Sequence, residues 1–387
     1  MIHGGAARYS KKPPRSGVVS FEMMSNPYPY QAPPAAAAES GPGAILAKVR
    51  RFFREHGRKL WWLHSAYALA LGVGVVAFAQ KGFEHARWLS VTVVAAWLLV
   101  VVFFRVHGSG RAQDAIDAAG SKTRFRFFVM TYVLKNLYQG MLFFLLPFYW
   151  KSTTFGAANE WFVVLLGVCA ILSTLDIVFD RYLMKWRALA SAFHGITLFG
   201  SLNLVIPAVF PDTRTLTTLL SAAGIAAIAV WTLHAPLRAL RNKLTIAAIV
   251  ASIAGSVGVA YAARAAIPPV PMHIAYEAVG PETTADGRLA MEVKTLHSSV
   301  IKKLLAVTDV VTPGGSGDRL HHVWRHDGVV VATTGASSRQ KTKEGNVRLQ
   351  SSLAGKELPK NLAGSWTVDV ETEDGQLVGR ASFVVID

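Results

Sequence analysis

Residues 244–263 read LTIAAIVASIAGSVGVAYAA, a run of 20 residues without a charged side chain. An α-helix needs roughly 20 apolar residues to cross the hydrocarbon core of a bilayer, so this run predicts a membrane span. Pro268 and Pro269 follow and stop the helix. Beyond them the pattern changes to short alternating runs, which predicts a β domain after the last span.

Six further apolar runs precede this one, and together they predict a membrane all-α bundle of about seven transmembrane helices. The predicted spans are Leu60–Ala79, Trp88–Phe104, Phe127–Trp150, Trp161–Phe179, Trp186–Pro207, Leu216–Leu233 and Leu244–Ala263. Such runs are too long and too continuously apolar for the strands of a membrane barrel. Charged residues make up only 17% of the chain, below the roughly 25% of soluble domains, which argues against a soluble globular protein.

The net charge of +16 is concentrated in the membrane part of the chain. From Arg264 onward 14 basic and 14 acidic residues cancel, so the excess does not indicate a nucleic-acid partner. Around the spans, 17 basic residues lie on one side and five, Lys81, Arg87, Lys151, Arg214 and Arg264, on the other. Because positive loops stay in the cytoplasm, this split predicts a cytoplasmic N-terminus and, after seven spans, an extracytoplasmic C-terminal domain.

Composition divides the chain into three predicted parts. Residues 1–45 are rich in Pro and Ala and are expected to form a disordered cytoplasmic tail. Residues 46–265 form the predicted seven-helix domain, and residues 270–387 form the predicted β domain. The single cysteine, Cys169, lies inside an apolar run, which excludes an internal disulfide and a cysteine-based zinc site.

Small residues recur every four positions in the last two spans. They are Ala222 and Ala226 in the sixth span, and Ala247, Ala251, Gly255, Ala254, Gly258 and Ala262 in the seventh. Small side chains let helix backbones approach closely in lipid. We expect packing within the bundle, with a homo-oligomer through the same face as the alternative.

Polar groups within spans are costly and are therefore functional candidates. Lys135 in the third span and Asp176 in the fourth fall in the cytoplasmic half of the predicted topology. They form a predicted intramembrane polar pair. A structural ion pair is the preferred interpretation, and a proton or ion pathway is the alternative.

The C-terminal part contains seven short strand-like runs separated by turn signals. The runs are Met272–Val279, Arg288–Thr295, Arg319–Arg325, Val329–Thr334, Val347–Leu353, Ser365–Thr372 and Leu377–Ile386. Asp327-Gly328 and Asp374-Gly375 predict two hairpins. The pattern predicts an all-β antiparallel sandwich of immunoglobulin-like type, with Trp366, Val368 and Val370 facing the core. Residues 298–305 fit a strand or a short helix.

The histidines of the β domain suggest a metal site, but strand geometry argues against it. His322 and His326 share one strand face, and four residues place them about 13 Å apart, too far for one zinc ion. His321 points to the opposite face. We therefore predict no metal, no cofactor and no catalytic constellation.

Several short motifs resemble an uncharacterised bacterial domain that follows multi-span membrane regions. They are His322-Val323-Trp324-Arg325 with Asp327-Gly328, Arg348 with Ser351-Ser352, Gly364-Ser365-Trp366-Thr367-Val368, Asp374-Gly375 and Phe383-Val384-Val385. The run Asn346–Gln350 lacks the aromatic residues that surround this arginine in the family. The resemblance implies a bacterial source, an envelope location and a domain of unknown function. It leads us to predict a β-domain surface formed by His322, Trp324, Arg348 and Trp366.

These observations predict a non-enzymatic membrane protein of a bacterial inner membrane. Its lipid-embedded helices would carry a periplasmic β domain that binds a protein or a cell-wall component. The alternative is a transporter or channel whose β domain is regulatory. A membrane-embedded enzyme ranks lowest, because the spans contain no paired acid and base or metal cluster.

Overall fold

The computed structural model describes residues 69–70, 72, 74, 86–107, 121–175, 178–183, 186–234, 237–284, 289–312, 318–335, 340–341 and 346–387. The predicted tail (1–45), almost all of the first predicted span and Asp176 lie outside the described residues. The helices and the β domain belong to one compact unit, Arg58–Asp387.

Six α-helices have defined bounds in the described part of the chain, and each overlaps one predicted span. They are α1 (Ala86–His107), α2 (Ser121–Lys151), α3 (Glu160–Thr174), α4 (Arg187–Val209), α5 (Thr215–His234) and α6 (Lys243–Ala262). Within these ranges, three helices are long and apolar enough to cross a membrane: Ala188–Val209, Thr215–His234 and Lys243–Ala262. Ser90–Leu99 and Glu160–Thr174 are shorter apolar helical stretches. The helical part is therefore that of a membrane protein.

Helix α3 is shorter than the predicted fourth span, which extended to Phe179. The hydroxyl groups of Ser173 and Thr174 donate to backbone carbonyl groups three residues earlier. Such side-chain bonds compete with the regular helix pattern. Leu175 then adopts an extended backbone, and a π-helical turn follows at Phe179–Leu183.

Aromatic residues connect α2 to α4 in the buried core of the bundle. The hydroxyl of Tyr138 and Nδ1 of His194 are 2.7 Å apart, and the Tyr138 ring meets Phe193 edge-on at 5.1 Å. About three helical turns further along α2, the Tyr149 hydroxyl donates to the carbonyl of Gly200 at 3.0 Å. The hydroxyl groups of Tyr138 and Tyr149 thus have partners inside the bundle, as a lipid environment favours. Nε2 of His194 is buried and has no partner among the described residues.

Helix α6 lies at the edge of the described bundle, and its packing differs from the prediction. Its small residues are exposed: Ala247, Ala251, Gly255, Ala254, Gly258 and Ala262. The contact with α5 instead uses Ile253 and Val257, which lie beside Gly224 of α5. On α5, Ala222 and Ala226 are buried as predicted. The small residues that permit close approach thus belong to α5. The prediction that the α6 stripes pack within the bundle is wrong, and the alternative of a homo-oligomer through that face stays a prediction.

Nine strands form two sheets in the described part of the β domain. They are β1 (His273–Gly280), β2 (Thr295–His297), β3 (Lys303–Val311), β4 (Leu320–His326), β5 (Val329–Gly335), β6 (Gln340–Lys341), β7 (Val347–Ala354), β8 (Gly364–Thr372) and β9 (Leu377–Ile386). One sheet has the order β1-β3-β7-β6 and the other β2-β9-β8-β4-β5. Strand β2 pairs with β9 in parallel, and the remaining pairs are antiparallel.

Both predicted hairpins are confirmed. Strands β4 and β5 pair across Asp327 and Gly328, whose φ angles are +47° and +82°. Strands β8 and β9 pair across Asp374-Gly375, where Gly375 has a φ of +80°. Positive φ angles at the central residues match the right-handed twist of the flanking strands.

The predicted strand Arg288–Thr295 is wrong for its described residues. Leu289 forms an isolated bridge with Thr283, and β2 begins only at Thr295. The Leu289 side chain packs with Leu305 and Val307 on the outer face of the four-stranded sheet. Its apolar side chain thus covers a sheet instead of extending one. The undecided stretch 298–305 divides into a short 3-10 turn and the start of β3.

The two sheets share one core, and the predicted inward face of β8 is confirmed. Trp366 and Val368 are fully buried with Phe383 of β9, Trp324 of β4 and Leu304 of β3. Because strand side chains alternate in direction, the residues between them lie on the outer face of the five-stranded sheet. That face carries the charged groups described below.

Candidate functional site

Lys135 lies in the middle of α2 and is only 5% exposed. Its Nζ atom is 5.8 Å from the centroid of the Tyr132 ring. The predicted partner, Asp176, lies outside the described residues, so the intramembrane pair stays a prediction. The grooves between α2 and α3 and between α4, α5 and α6 have mainly apolar walls, and Lys135 lines neither.

His322 bridges the two sheets inside the β domain. Its Nε2 atom is 2.8 Å from Oγ1 of Thr308, and its Nδ1 atom is 2.6 Å from Oγ of Ser351. The indole of Trp324 donates to the same serine oxygen at 3.0 Å. A neutral imidazole has one donor and one acceptor nitrogen, and hydroxyl groups can match both. Burial, reinforced by nearby His321, lowers the pKa of His322 to about 4.

The predicted surface of His322, Trp324, Arg348 and Trp366 is wrong. His322 is 2% exposed, and the two tryptophans are fully buried. Their polar atoms and large rings fill the space between the sheets, where polar groups must be paired. Arg348 lies on the outer face of the other sheet, where its guanidinium makes two bonds to Asp309 at 2.7 and 2.8 Å. The four residues therefore do not form one exposed patch.

A charged cluster covers part of the outer face of the five-stranded sheet. Asp369 of β8 is 1% exposed, although it alternates with the core residues of that strand. Arg380 of β9 binds both of its carboxylate oxygens at 2.6 and 2.9 Å. Arg325 of β4 donates to Asp369 at 2.9 Å and to Glu371 at 2.8 Å. Two arginines thus bury one carboxylate, and the bonds to Asp369 raise the pKa of Arg380.

Asp318 attaches the β domain to the start of α5. Its carboxylate accepts from the backbone N–H of Thr215 at 3.1 Å and from the Thr215 hydroxyl at 3.1 Å. The first N–H groups of a helix lack partners within the helix, and a carboxylate there also favours the helix dipole. Burial of Asp318 raises its pKa, although the bonds from Thr215 act in the opposite direction.

Further contacts hold the turn between β8 and β9 against the helix ends. Arg214 donates to Glu373 at 2.6 Å, and Arg264 donates to the Asp374 carbonyl at 2.7 Å. In the loop after α2, Asn159 donates to the carbonyl of Leu377 at 3.2 Å. Several helix ends therefore meet one end of the β domain. These contacts involve Arg214 and Arg264, two of the five basic residues that the charge pattern predicts on the same side of the membrane as the β domain.

A polar groove of about 420 Å³ opens beside these contacts. The end of α2 contributes Lys151, the following loop contributes Thr154, and β1 and β9 contribute Glu277 and Arg380. Glu277 is exposed at its rim, and desolvation of its carboxyl group raises its pKa to about 7. The groove thus contains charges of both signs at the level where the membrane helices end.

The described residues contain no group of three or more His, Cys, Asp and Glu side chains arranged to hold a metal ion. His322 is used in the Thr308–Ser351 network. His326 stacks on Trp366, with ring centroids 4.6 Å apart, and its Nε2 atom is 3.0 Å from the carbonyl of Ala363.

Sequence reasoning missed the residues of the junction. Asp318 precedes β4, and its partner Thr215 lies 103 positions earlier, so no local pattern connects them. A weak signal existed in Arg214 and Arg264, which are rare basic residues on the otherwise sparsely charged side. The acidic pair Glu373 and Asp374 at a predicted turn was available to match them.

Comparison with known families gives two matches along the chain. The model described as a family of unknown function, DUF5924, matches residues 45–304. The model described as a protein of unknown function, DUF2914, matches residues 317–385. No curated protein matches the chain. The predicted resemblance to an uncharacterised family is thus confirmed, and because the first model covers more than half of its length, the chain belongs to DUF5924, a family of unknown function.

Proposed function

We propose that this chain is a multi-pass protein of a bacterial inner membrane, with about seven spans and a cytoplasmic N-terminus. Its helices hold an immunoglobulin-like domain on their periplasmic ends, where the domain binds a protein or cell-envelope ligand. The single observation that carries this proposal is the junction. The loops at one end of the β domain are occupied by helix ends, which leaves the outer face of the five-stranded sheet for a ligand.

The strand order supports the immunoglobulin-like assignment. The order β1-β3-β7-β6 corresponds to A-B-E-D, and β9-β8-β4-β5 corresponds to G-F-C-C′. Buried Trp324 lies on β4, at the strand where immunoglobulin domains carry their core tryptophan. The sheets therefore have the connectivity of a domain type that often serves in recognition, and this is an argument by fold analogy.

The distribution of charge supports the proposed orientation. Arg214 and Arg264 contact the β domain directly, and Lys151 lines the groove beside it. All three belong to the side with few basic residues, which is the extracytoplasmic side under the positive-inside rule. The tail (1–45), the helical domain (46–265) and the β domain (270–387) remain the proposed division of the chain.

The proposed ligand surface is the distal part of the outer face. Val330, Arg325, Thr367 and Ser382 are consecutive neighbours across strands β5, β4, β8 and β9. Val384 lies two residues beyond Ser382, on the same face. Val330 and Val384 are 48% and 46% exposed. Exposed apolar side chains beside a charged group are common in recognition surfaces, where aromatic and arginine contacts add specificity.

Photocrosslinking in intact cells tests this proposal. A benzophenone amino acid placed at Val330 or Val384 is expected to form a discrete higher-mass adduct, because both positions would contact the ligand. Met291 is the matched control, since it is an exposed apolar side chain (55%) whose backbone lies beside Gly280 of β1, in the other sheet. Equal adducts at all three positions, or none at Val330 and Val384 in folded protein, would contradict the proposal.

Transport by the bundle is the second candidate function, and the burial of Lys135 favours it. A charged side chain inside a membrane helix is costly and is often retained for function. If the bundle conducts protons or cations, a Lys135→Met protein in vesicles is expected to lose the flux reported by a pH-sensitive dye. Lys243→Met, at the exposed start of α6, is the control. Equal flux in Lys135→Met and the unmodified protein would contradict a role of Lys135 in transport and would indicate a structural role.

A further inference from the structure

A groove of about 520 Å³ opens between α2 and α3. Its walls include Leu146 and Pro147 of α2 with Val163, Val164 and Gly167 of α3. Val164 is 51% exposed, so the groove faces outward from the bundle. A methyl group added to Gly167 would meet no other atom within 4 Å, which shows that there is open space above the glycine. An outward-facing apolar groove at membrane depth suits a hydrocarbon chain.

Exposed aromatic residues mark the end of this groove. Trp150, Phe155 and Trp161 are each more than half exposed, and the rings of Trp150 and Phe155 are 4.6 Å apart. Aromatic side chains of this kind concentrate at the level of the lipid headgroups. The groove therefore begins among the acyl chains and ends at the membrane surface.

The polar groove at the junction continues directly from the apolar one. Lys151 and Phe155 line both grooves. The two grooves thus form one continuous amphipathic groove. It is apolar on the membrane side of the aromatic residues and polar on the side of the β domain. Its shape matches a molecule with a hydrocarbon chain and a polar head.

The polar groove offers charged and polar groups that other parts of the described chain do not use. The side chains of Lys151 and Glu277 make no hydrogen bond or ion pair with the described residues, although both line the groove. The hydroxyl oxygen of Thr154 is buried and has no hydrogen-bond partner within the described ranges. Buried polar atoms normally have partners. An ammonium and a carboxylate in one groove complement a ligand that carries both a phosphate and an amine.

We propose that the two grooves together bind one phospholipid of the surrounding bilayer. An acyl chain lies between α2 and α3, the phosphate binds Lys151, and the ammonium of an amine-bearing headgroup binds Glu277. This site is separate from the proposed ligand surface on the β domain. A lipid held here contacts both the helices and the β domain.

Native mass spectrometry of the full chain in detergent, titrated with phosphatidylethanolamine or phosphatidylglycerol, tests the site. The unmodified chain is expected to retain phosphatidylethanolamine preferentially. Lys151→Met is expected to weaken retention about tenfold, because a charge-assisted bond to phosphate is lost. Gly167→Leu fills the apolar groove and is expected to weaken retention without changing any charge. Glu277→Gln is expected to remove the preference for phosphatidylethanolamine.

Lys243→Met is the matched control, because Lys243 is exposed at a helix end remote from the groove residues in sequence. Equal retention by Lys151→Met and Lys243→Met would overturn the proposal. The proposal would also be overturned if soluble glycerophosphoethanolamine bound as tightly as the phospholipid and Gly167→Leu left retention unchanged. That result would indicate a phosphate site that does not bind an acyl chain. An unchanged lipid preference in Glu277→Gln would overturn the headgroup assignment.

Discussion

Replacing Arg348 with methionine is expected to lower the free energy of unfolding of the β domain by about 3–5 kcal/mol. Arg348 of β7 lies directly opposite Asp309 of β3, and the pair makes two short charge-assisted bonds. Both side chains are nearly buried, with 12% and 9% exposed. Loss of the guanidinium would leave the Asp309 carboxylate in a poorly solvated place without its partner. Pulse proteolysis of the detergent-solubilised chain in urea measures the change.

The double replacement Asp309→Leu with Arg348→Met separates the unpaired charge from the lost attraction. Two apolar side chains often replace a buried ion pair with little change in stability. The double variant is therefore expected to recover most of the stability that Arg348→Met loses. If the double variant is as unstable as the single one, the cost lies in altered packing and the ion-pair argument is wrong.

Acidification is expected to destabilise the β domain through His322. Its folded-state pKa of about 4 lies below the ordinary value of 6.5, so the unfolded chain binds the proton more tightly. The stabilising contribution of the neutral imidazole is complete above pH 6.5 and is lost as the pH falls from about 6.5 to about 4. The shift corresponds to about 3 kcal/mol. Below about pH 4 both states are protonated and the contribution no longer changes.

A His322→Gln variant is expected to flatten this pH dependence, because the amide keeps a donor and an acceptor but does not titrate. Fluorine NMR of fluorotryptophan at Trp324, whose indole shares Ser351 with His322, follows unfolding in urea at each pH. His297→Gln is the control, since His297 is exposed at the sheet edge. The same slope between pH 6.5 and 4 in His322→Gln and the unmodified protein would refute the assignment to His322.

Local patterns were sufficient for much of the fold. The apolar runs located α4, α5 and α6, because a membrane span is defined by its own length and composition. The Asp-Gly signals located both hairpins, because Gly adopts the positive φ that tight connections between antiparallel strands require. The failures occurred where a local pattern has two outcomes. The small residues of α6 are compatible with helix packing or with exposure to lipid. The apolar side chain of Leu289 is compatible with a strand or with a loop that packs on the face of a sheet.

The sites depended on distant parts of the chain. His322 was predicted at a surface because its motif resembles that of the uncharacterised bacterial domain. Tertiary structure placed Thr308 and Ser351 beside it and closed the core over it. Arg325 and Arg380 similarly buried Asp369, which alternation alone would leave exposed. Whether a polar side chain is exposed or buried depends on partners that sequence spacing does not reveal.

The sequence by itself determined that this is a membrane protein with a C-terminal β domain, because hydrophobic length and strand alternation are properties of contiguous residues. Only the tertiary structure decided how the two parts meet. Asp318 and Thr215 come from segments 103 positions apart. Lys151 and Glu277, which line the polar groove, also come from different elements, the end of α2 and strand β1. Such contacts exist only once helices and sheets pack, since their geometry depends on the whole folded chain.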